Sequence, residues 1–225
     1  MFGDNPIRGL EKGDGSTLLI QSIFKTFQGE GPFAGYPSIF IRLGGCNLAC
    51  DFCDTEFESY DEMQLQEVLS KTDELSGKKA NDFTHKLAVI TGGEPFRQNI
   101  VPLCDRLINN GYTVQIETNG TLYRELNKDV HIICSPKNTG KGYRKIRDDL
   151  LKRLDAIKFI VSATHELYKD VAQVGQSDYD TPVYVQPMDE YSVEKNNHNM
   201  KHATILAEKY GYRLGIQMHK ILGIE

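Results

Sequence analysis

Short apolar runs recur along the chain at residues 87–90, 113–116, 130–134, 157–161, 183–185 and 213–216. Upstream, residues 17–24 and 37–43 read as two strands joined by a Gly-rich turn. Helical spacing of apolar positions appears between several runs. Met63, Leu65, Val68 and Leu69 mark a helix over 61–72, and Ile100, Leu103, Leu107 and Ile108 mark one over 99–110. Further helices are expected at 147–154, 165–174 and 194–210. Strand alternating with helix predicts a parallel α/β sheet with right-handed crossovers.

Each run ends in polar or Gly/Pro punctuation: T91-G-G-E-P, E117-T-N-G, S135-P-K, S162-A-T, Q186-P-M-D and M218-H-K. In parallel α/β folds the carboxyl ends of strands build the site. Turns alone explain Gly and Pro. They do not explain Glu94, Glu117, Ser135, Lys137, Gln186, Asp189 and His219 at the same positions, so a shared ligand face is expected. A complete eight-strand barrel takes about 250 residues. At 225 residues the pattern predicts an incomplete TIM-type parallel β/α barrel.

Composition adds limits. With 40% hydrophobic and 25% charged residues the chain is globular. No repeat or linker interrupts it, so residues 1–225 are expected to form a single domain, with 1–19 as an N-terminal extension. No apolar run approaches the roughly 18 residues of a membrane helix, and no secretory signal opens the chain. The expected location is a reducing cytoplasm, without membrane attachment. A net charge of −5 and scattered basic residues exclude a nucleic-acid partner, the short basic stretch 137–145 reading as solvated surface.

Cysteine usage changes the picture most. Three of the five cysteines stand in a C-x3-C-x2-C stretch at Cys46, Cys50 and Cys53. Thiolates suit iron–sulfur clusters, copper(I) or zinc. A structural zinc site closes with four ligands, usually from two knuckles, and no second knuckle exists here. Cys104 and Cys134 lie in apolar segments and read as small core residues. Three thiolates on a loop after a strand point to a four-iron cluster with one iron open to an outside ligand. A zinc-binding interaction module is the alternative from a different class.

The C-x3-C-x2-C loop and T91-G-G-E-P95 resemble the radical S-adenosylmethionine (SAM) superfamily. Within it, S22-I-F-K-T-F-Q-G-E-G31, G35-Y-P-S-I-F-I-R-L-G-G-C46 and C53-D-T55 resemble the 7-carboxy-7-deazaguanine synthases, from about residue 20 to the end. The resemblance implies a [4Fe-4S] cluster, SAM and Mg2+ as cofactors. It implies a lyase of queuosine and 7-deazapurine biosynthesis that converts 6-carboxy-5,6,7,8-tetrahydropterin to 7-carboxy-7-deazaguanine and ammonia. A 5′-deoxyadenosyl radical would take hydrogen from C6 of the pterin, and the pyrazine ring would then contract. No side chain beyond the cluster and SAM is expected to carry the radical step.

Carried over by motif, Cys46, Cys50 and Cys53 would hold the cluster and Thr55 the magnesium. Read alone, Asp54-Thr55 is an ordinary helix cap. Phe52, Cys53, Asp54, Gly93, Glu94, Ser135, Pro136, Lys137, Gln186, Pro187, Met188 and Asp189 would serve SAM. The Glu94 carboxylate and strand-end carbonyls would hold the methionine ammonium, and Lys137 or Ser135 the ribose or carboxylate. Phe27, Gln28, Gly29, Glu30, Arg42, Thr91, His219 and Glu225 would line the pterin. Arg42 would meet its carboxylate, a pairing its planar guanidinium suits. The implied partners are a one-electron donor such as flavodoxin or ferredoxin and a second copy in a homodimer. The nearest alternative is a small radical SAM activase that installs a glycyl radical on a partner protein. That enzyme would lack the F-Q-G-E-G and C-D-T stretches.

Overall fold

A computed structural model describes residues 5–80 and 82–224. Nine strands form one open sheet: β1 (Thr17–Phe27), β2 (Pro37–Leu43), β3 (Asp61–Gln64), β4 (Leu87–Gly92), β5 (Thr113–Thr118), β6 (Val130–Cys134), β7 (Ala156–Val161), β8 (Val183–Pro187) and β9 (Arg213–Leu214). Their order is β3-β1-β2-β4-β5-β6-β7-β8-β9. β1 pairs antiparallel with β2 and β3, while β2 through β9 run parallel. The sheet does not close, as the chain length led us to expect.

Helices α1 (Leu65–Leu75), α2 (Val101–Asn109), α3 (Asp148–Leu151), α4 (Val193–Tyr210) and α5 (Met218–Leu222) complete the fold. α1 rests on β1, α2 on β5, and α4 on β7 and β8. Ser192 caps α4 through its hydroxyl, and Gly211 at φ 68° ends it.

Strand alternation sorts the side chains onto two faces. Ile41, Leu43, Ala88, Ile90, Val114, Ile116, Ile157 and Phe159 join the buried core under the helices. The residues between them point the other way, and there the parallel register sets Arg42 beside Thr91, and Glu117 beside Ile133.

Three expected elements differ. Residues 61–64 form an edge strand, with Met63 opposite Leu18, and the helix starts only at Leu65. Asp61, Glu62 and Gln64 are exposed around a buried Met63, an alternation that suits a strand. The helix expected over 147–154 is a single turn, and 165–174 holds only a 3-10 turn, Glu166–Tyr168. α5 carries no expected counterpart, because the helical spacing of Met218, Ile221 and Leu222 spans only five residues.

Candidate active site

One cavity of about 530 Å³ opens at the carboxyl ends of the strands. Its volume falls in the usual range for small-molecule sites. Cys46, Cys50 and Cys53 line it together with Phe27, Gln28, Glu30, Arg42, Phe52, Asp54, Thr55, Thr91, Gly93, Ser135, Lys137 and His219. Glu117, Lys158 and Tyr191 line it too, so residues from eight separate stretches of sequence meet in one place.

The cysteine loop (44–60) has no helix, so Asp54 and Thr55 cap nothing. The Thr55 hydroxyl instead donates to Asp54 Oδ1 at 3.2 Å, and Asp54 Oδ2 pairs with the Lys220 ammonium at 2.8 Å. Burial pushes the Cys46 thiol up to about 11 and raises Cys50 and Cys53, which the Lys137 charge partly offsets. Thiols so placed stay protonated until a cation stabilises their thiolates. Among the described residues no three Cys, His, Asp or Glu side chains converge on a point where one metal ion could sit. Three thiols lining one cavity, with no fourth Cys or His beside them among the described residues to close a structural zinc site, fit an iron–sulfur cluster.

The Gly-Gly-Glu-Pro turn lies directly on this loop. A Cβ at Gly93 would come within 1.9 Å of the Gly45 carbonyl oxygen, so only glycine permits the approach. The Glu94 amide donates to that same carbonyl at 3.1 Å. Glu94 itself is buried and stands outside the cavity wall. Its carboxylate accepts from the Thr118 hydroxyl at 2.7 Å, the Asn119 amide at 2.8 Å and the Phe96 amide at 3.1 Å. Burial raises its pKa to about 7 despite these donors. It ties the β4 and β5 ends together beneath the cysteine loop.

The opposite wall is built by F-Q-G-E and the C-terminal segment. A Cβ on Gly29 would lie 2.2 Å from His219 Nδ1, and the Met218 amide donates to the Gly29 carbonyl at 3.0 Å. Gly29 thus seats α5 and lines nothing itself. Burial lowers the His219 pKa, against the pull of Glu30. Arg42 lies over the Phe24 ring at 5.0 Å, and Phe24 stacks on Phe40.

Between these walls stands a buried charge group. Lys158, on β7, reaches Glu30 at 2.6 Å and Glu117 at 2.7 Å. Burial alone would raise the Glu30 carboxyl, but Lys158 and the Gln217 amide hold it at about 2. Glu117 is raised by burial and by Glu30, with Lys158 opposing. Gln28 and Gln115 also donate to Glu117. The result is a lysine held charged between two carboxylates, all three facing the cavity. The reading of the sequence missed Lys158, Phe24, Phe40, Tyr191, Gln217 and Lys220. A lysine inside A156-I-K-F-I-V161, in phase with the cavity face, was the available signal for the first.

Several expected residues stand elsewhere. Pro136 and Gln186 are buried outside the cavity, and the Gln186 Oε1 atom has no hydrogen-bond partner among the described residues. Pro187, Met188 and Asp189 line an adjoining cleft that shares Gln217 and Lys220 with the cavity. Lys220 links the two, pairing with Asp54 at 2.8 Å and Asp189 at 3.2 Å. Glu225 lies outside the described residues.

Residues 40–135 match the Radical SAM superfamily. Along the whole chain it is 56% identical to the 7-carboxy-7-deazaguanine synthase of Rickettsia prowazekii, over 225 residues and 96% of that protein's length. It is 39% identical to that of Rhodospirillum rubrum, with both chains fully covered. The crystal structure of QueE from Escherichia coli superposes with a TM-score of 0.72 at 25% identity, covering 90% of this chain and 95% of that one.

Proposed function

We propose how the cavity works from one premise: the chain belongs to the 7-carboxy-7-deazaguanine synthases, a family of radical SAM enzymes. Its reaction is the conversion of 6-carboxy-5,6,7,8-tetrahydropterin to 7-carboxy-7-deazaguanine with loss of ammonia, a step of queuosine biosynthesis. The observation that carries this reading is the single cavity in which the three cysteines face Arg42, Thr91, Glu30 and His219.

The cluster and SAM, when bound, supply one-electron radical chemistry, and Mg2+ supplies a positive charge for a substrate carboxylate. The chain's own residues position and shield. Cys46, Cys50 and Cys53 hold the cluster on one wall. Phe52, braced edge-on against Tyr168 at 4.7 Å, shapes the SAM side together with Ser135 and Lys137. Lys137 donates to the Ser135 hydroxyl at 2.6 Å, so its ammonium is aimed along that wall. Pro187, Met188 and Asp189 act from the neighbouring cleft, Asp189 through Lys220, and the buried Gln186 supports them from behind.

On the substrate wall, Arg42 and Thr55 take the pterin carboxylate, Thr55 through magnesium. A single hydroxyl oxygen is a sparse magnesium site, and hard-ion coordination completed by substrate and water suits it. Glu30 and Glu117 accept the N–H groups of the aminopyrimidine edge, with Gln28 and Phe27 beside them. Holding the substrate against the SAM side in this way lowers the barrier by positioning. α5 closes the wall with His219, which burial keeps neutral.

The reading extends to a single radical SAM domain, cytoplasmic, supplied with electrons by a carrier such as flavodoxin or ferredoxin, and working as a homodimer. Anaerobic reconstitution of the protein with iron and sulfide tests the ligand set. The parent should turn brown and cleave SAM when reduced, and a Cys50→Ala variant that still cleaved SAM would refute it.

A further inference from the structure

The N-terminal segment holds none of the site residues, yet it lies across the cysteine loop. Ile7 bridges Cys46 in parallel register, and the Arg8 amide donates to the Cys46 carbonyl at 2.7 Å. Arg8 then pairs with Glu58, in the same loop, at 2.7 Å. Three residues on, the Glu11 amide donates to the Arg97 carbonyl at 2.9 Å.

Arg97 follows the Gly-Gly-Glu-Pro turn and is 1% exposed. Its guanidinium points three ways. Nε donates to the Gly9 carbonyl at 2.7 Å, Nη1 to the Gly44 carbonyl at 3.1 Å, and Nη2 to Glu11 Oε1 at 2.7 Å. A Cβ on Gly45 would stand 2.4 Å from Nη1. The buried cation therefore joins three separate stretches: the segment 9–11, the backbone just before Cys46, and the turn that carries Gly93. A guanidinium is always charged and its fork fixes direction, so lysine cannot replace it here. A charge this deep needs its partner, and Glu11 is the carboxylate it meets.

We propose that Arg97 is a positioning residue for the Cys46 arm of the cluster loop, with Glu11 as the counter-ion that holds it there. Residues 7–11 then work as a clasp over the first cluster ligand. Without the Glu11 charge, the guanidinium loses its strongest hydrogen bond and the clasp loses its anchor. The uncompensated positive charge beside Cys46 also favours the more reduced, more negative state of the cluster. This inference rests on the reading of Cys46, Cys50 and Cys53 as cluster ligands.

The test compares Glu11→Gln, Glu11→Asp and Asp14→Asn with the parent, all full-length and loaded anaerobically with iron and sulfide. Asp14 sits in the same segment but contacts Ser16 rather than Arg97. Release of iron to a ferrous chelator and the cluster's midpoint potential are measured without SAM or pterin. Glu11→Gln should release iron roughly three- to tenfold faster, the range expected for losing one partly exposed charge-assisted hydrogen bond. Its potential should move to more positive values. Glu11→Asp should fall between it and the parent, and Asp14→Asn should match the parent. A Glu11→Gln protein with the parent's release rate and potential overturns the proposal, even if its melting temperature falls. A parent that takes up no iron overturns the ligand reading instead, so the two failures are told apart.

Discussion

The Lys158 ammonium lies 2.6 Å from the Glu30 carboxylate, joining the seventh strand of the sheet to the turn that follows the first. Both are largely buried, with side-chain exposures of 5% and 17%. The pair closes the substrate wall and holds Glu117 from the other side.

Removing the lysine leaves two carboxylates facing each other in a desolvated wall. A Lys158→Met variant should lose about 3 kcal/mol of unfolding free energy, the usual cost of stranding a buried charge. Urea unfolding of the metal-free protein measures it. A loss under half that value would show that water reaches the group.

The Glu30 carboxyl is held at about 2, against an ordinary 4.5. Its folded pKa is depressed, so its contribution to stability is present above about pH 4.5 and is lost as pH falls towards 2. Melting curves across that window should show a shallower decline for Glu30→Gln than for the parent. Identical slopes would contradict the assignment.

Gly29 is needed for space, since a Cβ there would strike His219. Gly29→Ala should displace α5 and raise KM for the pterin by about tenfold, as a misplaced wall does. SAM cleavage without pterin should fall less than pterin turnover, because the described side-chain contact of α5 with the cysteine loop is the Lys220–Asp54 pair. Steady-state kinetics against each ligand separate the two.

Thr55→Ala removes the hydroxyl proposed as the magnesium ligand. The variant should need roughly tenfold more Mg2+ for half-maximal turnover, while keeping its iron content. Titration of turnover with Mg2+ reads the first and iron analysis the second.

Much of this was legible in the sequence, for physical reasons that differ by element. The cysteine spacing and the Gly-Gly-Glu-Pro turn were readable because their chemistry demands particular residues close together. The strand ends were readable because apolar runs stop where polar groups begin. Lys158 was hidden inside such a run, its lysine looking like an exception when it was the cavity phase of the strand. Phe24, Phe40, Gln217 and Lys220 escaped because only register and chain closure bring them to the cavity. The edge strand at Asp61–Gln64 was misread since four residues fit both periods. The C-terminal helix was too short to announce itself, its Met218, Ile221 and Leu222 spacing covering five residues, and it is held by Gly29 and by the Lys220 pairs. Glu94 was expected to meet SAM, and the structure places its carboxylate on the β5 end instead. The alternatives of a glycyl-radical activase and a zinc-binding module fall away, since relatives that match along the full chain are 7-carboxy-7-deazaguanine synthases.

On the proposed reading, one cavity holds the radical source and the pterin together. Anaerobic incubation of the reduced, iron-loaded protein with 6-carboxy-5,6,7,8-tetrahydropterin, SAM and Mg2+ tests it most directly. 7-Carboxy-7-deazaguanine should form, with one ammonia released for each product molecule. Formation of 5′-deoxyadenosine with no deazaguanine would contradict that reading.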